Sequence, residues 1–286
     1  LSVTIRRLNA EDADACGAIC YEAFREIGEA HGFAPDIPSV EAGIALVRGK
    51  TKQSAWYGVV AEVDGRVVGS CFLDERSLPV VGIGPITVDP AAQNGSVGRR
   101  LMGAMLDRAK EIGAEGVRLV QAGYHMRSLA LYTKLGFAPR EPLACLSGAS
   151  PRFSTPGYAV RAASEADVAA CNAVCVAVHG HDRGIELGDA IRAGSATLVE
   201  RDGRVTGYAT RIGFSGHAVG ETNEDLKALI VAAHAYQGPG FLVPTRNAEL
   251  FRWCLENGLR IVQPMTLMTI GRYDEPKGAF LPSVTF

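Results

Sequence analysis

No apolar run in this chain of 286 residues approaches the roughly 20 residues that a membrane-spanning helix needs. Charge of one sign is lacking too. Lysine and arginine nearly balance aspartate and glutamate, leaving a formal net charge of −2. Nothing therefore draws the chain in bulk to nucleic acid or to an anionic membrane surface, and neither is expected as a partner. There is no CxxC pair, and the seven cysteines are an odd number. That argues against a disulfide framework and for a reducing, cytoplasmic setting. The start, LSVTIRRLNAEDADA, lacks an apolar signal-peptide core and reads directly as a strand followed by a helix. Cys16/Cys20 and Cys171/Cys175 are each spaced i, i+4 on one helix face, as small buried hydrophobes are. No histidine stands at a spacing that would complete a metal site with them, so no metal is expected. His179 and His181 in VHGHD, two apart, do not share a helix face and fit a loop. Neither the nucleotide loop GxxxxGK[ST] nor the dinucleotide fingerprint GxGxxG occurs.

What the chain does contain is a copy of itself. IRRLNAEDADACGAIC (5–20) aligns with VRAASEADVAACNAVC (160–175), superposing Arg6 on Arg161, Asp12 on Asp167 and both cysteine pairs. EVDGRVVGS (62–70) aligns with ERDGRVTGY (200–208), and YTKLGF (132–137) with CLENGL (254–259). Three matches in one order argue for two copies of one fold, the second with shorter connections. SGASPRFSTPG (147–157) reads as the linker. The expected units are residues 1–148 and 157–286.

Periodicity gives copy one a strand VTIRRL, helices over 10–30 and 39–49, and a hairpin turning at Asp64-Gly65. Strand VVGIGPITV, helix 97–112, strand GVRLVQA and helix 125–135 follow, and a last pair of strands closes the copy. Copy two repeats the order, with a hairpin at Asp202-Gly203, helices over 222–236 and 246–257, and closing strands. The architecture is α+β: each copy is a mixed, largely antiparallel sheet flanked by helices.

One connection is built for chemistry. VDPAAQNGSVGRRLM (88–102) passes from an apolar strand into an amphipathic helix through small residues. The first four amides of a helix lack partners within it, and they sit at the positive end of its dipole. Small side chains let an anion approach that backbone, so Gln93–Arg99 suits a phosphate or pyrophosphate.

This stretch resembles the acyl-CoA pyrophosphate loop of the GNAT superfamily of N-acetyltransferases, V-x-P-x-x-[QR]-x-x-G-x-[GA]-x-x-L. Val88, Pro90, Gln93, Gly98 and Leu101 match, while Ser96 stands where the family has its first glycine. Gly95 lies one residue earlier, and the Ser96 hydroxyl is placed to bond a phosphate oxygen or to cap the helix. SLALYTKLGFAP (128–139) resembles the family's second signature through Tyr132, Gly136 and Phe137, with His125 where an asparagine is frequent. The resemblance covers about residues 3–147. It implies a tandem GNAT protein whose first copy binds acetyl-CoA as co-substrate. Gln93, Asn94, Gly95, Ser96, Val97, Gly98, Arg99 and Arg100 would receive the phosphates, and the strand edge at Ile86 and Val88 the pantetheine.

In copy two the loop has become GHAVGETNEDLK, whose Glu221, Glu224 and Asp225 would repel a pyrophosphate, and Cys254 replaces the tyrosine. This copy is expected to have lost the cofactor and to shape the acceptor cleft. The expected function is acetyl transfer to an amine, on a small molecule or a protein, directly within a ternary complex, with a homodimer as a possible assembly. Tyr132 is the candidate acid toward the departing thiolate. Asp74, Glu75 and His125 are candidate bases, with water as the other choice. The rival class is a non-catalytic CoA-binding or sensing protein.

Overall fold

The computed structural model describes residues 2–93 and 95–285. In the first half, β1 (Val3–Arg7) leads into α1 (Ala13–Ala30) and α2 (Val40–Thr51). The hairpin β2 (Trp56–Val63) and β3 (Arg66–Asp74) follows, then β4 (Val80–Val88), α3 (Val97–Glu111), β5 (Gly116–Ala122), α4 (Met126–Lys134) and β6 (Ala138–Ser147). The second half runs β7 (Tyr158–Ala162), α5 (Val168–His179), α6 (Gly184–Arg192), β8 (Thr197–Arg201), β9 (Arg204–Ala209) and β10 (Ala218–Gly220). It continues with α7 (Asn223–Ala232), β11 (Phe241–Pro244), α8 (Ala248–Glu256), β12 (Arg260–Gly271) and β13 (Ala279–Leu281). Both hairpins turn at their Asp-Gly pairs with positive φ at both residues, 51° and 77° at Asp64-Gly65 and 54° and 73° at Asp202-Gly203. That geometry matches the right-handed twist of the flanking strands.

The fold is α+β. One sheet has eight strands in the order β1-β2-β3-β4-β5-β12-β6-β11, the other five in the order β13-β10-β9-β8-β7. Alternation along the strands assigns the helices to faces. Cys71, Leu73, Val81 and Ile83 cluster with Leu101, Met102 and Met105 of α3 and Tyr132 of α4. Trp56, Val60 and Phe72 cluster with Ala13 and Cys16 of α1 and Val47 of α2. The first sheet thus carries α3 and α4 on one face, α1 and α2 on the other.

The repeated residues are placed alike. Arg6 forks between Asp12 (2.7 Å) and Glu62 (2.7 Å), and Arg161 does the same with Asp167 (2.8 Å) and Glu200 (2.8 Å). In both, the guanidinium holds the aspartate below the usual carboxylate range. Phe137 N–H donates to Tyr132 O and Leu259 N–H to Cys254 O, so α4 and α8 end in the same way. All seven cysteines are buried thiols.

The sheets do not divide where the repeat does. A pair of closing strands was expected in copy one; only β6 follows α4 there, and the missing neighbour comes from the far end of the chain. β12 lies antiparallel between β5, from Met265↔Ala122 to Gly271↔Gly116, and β6, from Arg260↔Ser147 to Thr269↔Ala138. β6 in turn pairs with β11. Each half therefore gives its long closing strand to the other half's sheet edge.

A second difference concerns β13, which pairs with β10 from Ala218↔Leu281 to Gly220↔Ala279. Ala279 and Leu281 share an apolar cluster with Phe241 and Val243 of β11. β13 thus occupies the gap between β10 and β11, the counterparts of β4 and β5. The helix expected over 222–236 ends at Ala232, because Ala233 is extended (ψ 119°) and the Gly238-Pro239 pair ahead cannot continue a helix. Instead Gln237 forms a parallel bridge with Gly213.

Candidate functional site

β4 and β5 run parallel and are paired only at Val80–Gly82 with Gly116–Arg118. Beyond Gly82 they part, leaving the β5-facing edge of β4 without a ladder from Ile83 to Val88. On its other edge β4 stays bound to β3, with an extra residue inserted opposite Cys71–Leu73. A cavity of about 770 Å³ opens at this parting. It is lined on the α3–α4 side by Ser96–Arg99, His125, Ser128, Leu131 and Tyr132, and on the α1–α2 side by residues of α1, α2 and 36–38.

The start of α3 opens onto this cavity. Ser96, at the cap position, adopts a left-handed backbone (φ 63°, ψ 1°), a conformation that favours glycine. The sequence allowed Ser96 to cap the helix; its side chain makes no capping bond, because the left-handed turn carries it away from the N-terminal amides. The first-turn amides are thus uncapped by side chains among the described residues. Gln93 closes the loop by donating from Nε2 to Val88 O (3.3 Å) and accepting from Arg127.

Among the residues singled out by the sequence, Ile86, Val88, Gln93, Ser96, Val97, Gly98, Arg99 and Tyr132 line the cavity together. Gly95 and Arg100 are exposed and do not line it. Asn94 falls outside the described residues.

Tyr132 is buried, with its ring edge-on to Phe137. Burial, and then the neighbouring Cys71, push its phenol pKa up, so the hydroxyl keeps its proton at neutral pH. Ser128 hydrogen-bonds His125 Nδ1 and acts on the phenol in the opposite, smaller direction. Positions 125, 128 and 132 follow the helical period and form one row on α4. Burial, with the charge of Arg127, pushes the His125 imidazole down to about 4, so it is neutral at pH 7.

Of the candidate bases, only His125 reaches the cavity. Asp74 is clasped by Arg76 Nε (2.8 Å), and Glu75 by Arg108 (2.8 Å). His179 ends α5 and lies buried with Nε2 3.1 Å from His217 Nε2. Among the described residues, no group of three or more His, Cys, Asp and Glu is placed to hold a metal ion. No helix among them is long and apolar enough to cross a membrane.

Sequence reasoning missed the far wall. Asp36, and from the second half Phe214, Gln237, Pro239, Met265 and Val284, also line the cavity. No local motif marks them; they arrive through the strand exchange and the unwinding after Ala232.

The corresponding place in the second half differs throughout. Only residues 221–222 join β10 to α7, against residues 89–96 between β4 and α3. Asp225 accepts from Thr222 N–H (2.8 Å) and Oγ1 (2.7 Å), completing a capping box at the start of α7. Glu221 is held by Arg204 and Arg201.

Residues 21–137 match the model of the Acetyltransferase (GNAT) family. A mycothiol acetyltransferase of Sanguibacter keddieii is 39% identical over 85 residues, 28% of this chain and 27% of that protein. An IAA acetyltransferase of Azospirillum brasilense is 36% identical over 81 residues, 23% of this chain and 53% of that one. The aligned stretches thus span about a quarter to a half of these relatives. The solved structure of a candidate acetyltransferase from Pyrococcus horikoshii superposes with a TM-score of 0.73 at 15% identity, over 97% of this chain and 94% of that one. At that identity the likeness is one of fold. The likeness to the GNAT acetyltransferase family is thus carried by residues 21–137, and the chain has the α+β GNAT fold.

Proposed function

We propose that the protein is an acyl-CoA-dependent N-acyltransferase, moving acetyl from acetyl-CoA directly to an amine in a ternary complex. One observation carries the reading: an uncapped helix start and an unpaired strand edge meet in one cavity. The pyrophosphate of CoA suits the first-turn amides of α3, helped by Arg99. The pantetheine amides suit the open edge of β4 at Ile86 and Val88, as an added strand would. A backbone N–H on that edge then stabilises the oxyanion that develops as the amine attacks the thioester carbon. Collapse of the intermediate breaks the C–S bond, and Tyr132, protonated at neutral pH, gives its proton to the leaving thiolate. The proton that the amine nitrogen sheds passes to water, and the neutral His125 imidazole with Ser128 can relay a proton from solvent back to the phenol. Holding both substrates together supplies much of the rate.

In this reading the first copy (1–148) holds the cofactor, and the second (157–286) is a degenerate GNAT-like unit that shapes the acceptor cleft. The tandem arrangement is supported by the repeated Arg–Asp–Glu forks. Free CoA thiol measured with a panel of amines tests the proposal, together with the mass of the product. Amine-dependent thiol release with a product heavier by one acetyl group is expected. Tight acetyl-CoA binding without thioester consumption by any amine would instead identify a sensor.

A further inference from the structure

Charge is sorted across the cavity. Arg99 and Arg127 lie on the α3–α4 side, where an anion is expected, while Glu26 of α1 and Asp36 lie on the α1–α2 side. Asp36 is fixed in place. Gln263, 1% exposed on the exchanged strand β12, donates from Nε2 to Asp36 Oδ1 (2.6 Å) and accepts from the Tyr124 hydroxyl (3.4 Å). The Tyr124 ring stacks on Phe33 at 4.2 Å, pinning the segment that carries Asp36. Among the described residues, Oδ2 has no hydrogen-bond donor. The second-half wall of the cavity is mainly apolar, Phe214, Pro239, Met265 and Val284, with Ser215, Gln237 and Thr285 as its polar members, and Phe24 and Ile27 of α1 line the cavity beside Asp36's segment.

We infer that the acceptor is a small primary amine on an apolar body, its nitrogen held by Asp36 and its body seated against the apolar wall from the second half. The inference rests on the acyl-transfer reading of the same cavity. A carboxylate-bearing amine would meet Asp36 and Glu26 as like charges. A polyhydroxylated amine would have more hydroxyls than Ser215, Gln237 and Thr285 can bond, leaving the rest against hydrocarbon. Lys50, the remaining charged group on this side, sits 3.0 Å above the centroid of the Trp56 ring, and burial pushes its ammonium down to about 7. Above neutral pH it no longer cancels the carboxylates. Burial also raises the Asp36 carboxyl, as suits a group that takes a proton from an incoming ammonium.

The test uses the full chain. Binding of 2-phenylethylamine, 2-phenylethanol, phenylalanine and glucosamine is measured by calorimetry with CoA present, and acetylation of the three amines by thiol release. Phenylethylamine should bind at least tenfold more tightly than the other three and be acetylated with the highest kcat/KM. Asp36→Asn keeps an acceptor for Gln263. It should weaken phenylethylamine binding about tenfold or more while leaving KM for acetyl-CoA unchanged; Asp36→Glu should restore part of the loss, and Glu26→Gln should cause a smaller one. Preference for glucosamine or phenylalanine, or phenylethylamine binding unmoved by Asp36→Asn, overturns the inference. Binding that depends on Asp36, with no thiol release from any amine, upholds this site and defeats the transferase reading instead.

Discussion

The starts of α3 and α7 follow equivalent strands in the two halves, yet one is open and the other closed. At α3 a long loop brings a left-handed serine to the cap position, and no described side chain caps the amides. At α7 the connection is two residues long, and Thr222 and Asp225 close it with a capping box. The strand gap beside each differs likewise, open between β4 and β5 and filled by β13 between β10 and β11. A capped helix start is worth about 1 kcal/mol of stability. The first half forgoes that stabilisation where an anion can supply it; the second takes it and forgoes the anion. The difference between the two helix starts lies in whether the chain satisfies its own polar groups.

The comparison is broken most severely by separating the halves. Residues 1–148 alone lack β11 and β12, leaving β5 with an unpaired edge and β6 with two. This fragment should show no cooperative melting by circular dichroism and no transferase activity. A stable, active fragment would mean that the exchanged strands are dispensable.

Next in size is Tyr132→Phe, which tests whether the open half is where chemistry occurs. Only a hydroxyl is lost, so the fold should persist. kcat should fall about 10²- to 10⁴-fold with little change in KM for acetyl-CoA. A kcat within threefold of the parent, for several amines, removes Tyr132 from the mechanism. Gly98→Asp then makes the open loop resemble the acidic one. Calorimetry should find one acetyl-CoA site per chain in the parent and roughly 10²-fold weaker binding in the variant. Two sites in the parent, or unaltered binding in the variant, would falsify the assignment of open and closed ends.

Acid should undermine the second half. Burial holds the imidazoles of His179 and His217 well below their usual range, and that of His181 down to about 3. Arg118 and Arg183 nearby act in the same direction. These histidines are neutral in the fold, while the unfolded chain protonates them near pH 6.5. Their contribution is therefore complete above about pH 6.5 and is lost as pH falls toward the folded values. The loss should be on the order of 1 kcal/mol per imidazole per pH unit. Melting temperatures measured from pH 8 down to 4.5 should hold steady and then drop below 6.5. A flat profile excludes this account. The smallest effect belongs to Asp225→Ala, which opens the α7 start. Stability should fall by about 1–2 kcal/mol in a denaturant titration, and no second acetyl-CoA site should appear, because β13 still fills the gap.

The repeat was legible because its two copies solve the same local problem with the same side chains. An arginine tying a capping aspartate to a strand glutamate needs those residue types at those spacings, so Arg6, Asp12 and Glu62 could be matched to Arg161, Asp167 and Glu200. Hydrophobic periodicity likewise placed the strands and helices along the chain. It is silent on which neighbour lies beside each strand, and so the exchange of β6 and β12 was not foreseen. The α3 loop announced itself through small residues and a following amphipathic helix, but the left-handed turn at Ser96 did not, since serine seldom adopts one. Asp36 stood in an unremarked loop; what fixes it is Gln263, 227 positions away, a contact with no local sequence signal.

The exchanged strands also set a timetable. Gly116 of β5 pairs with Gly271, so the ladder beside the open cleft cannot close until residue 271 has been made. At roughly 5–20 residues per second, β5 and β6 wait about 7–30 s for β12 to emerge. In that interval the apolar edges of β5 and β6 are templates for pairing with another chain. Refolding from denaturant carries the same burden of distant contacts, which slow folding because the intervening loop must be ordered first. A nascent chain of this design gains from a holding chaperone, and two copies refolding at high concentration can exchange strands with each other.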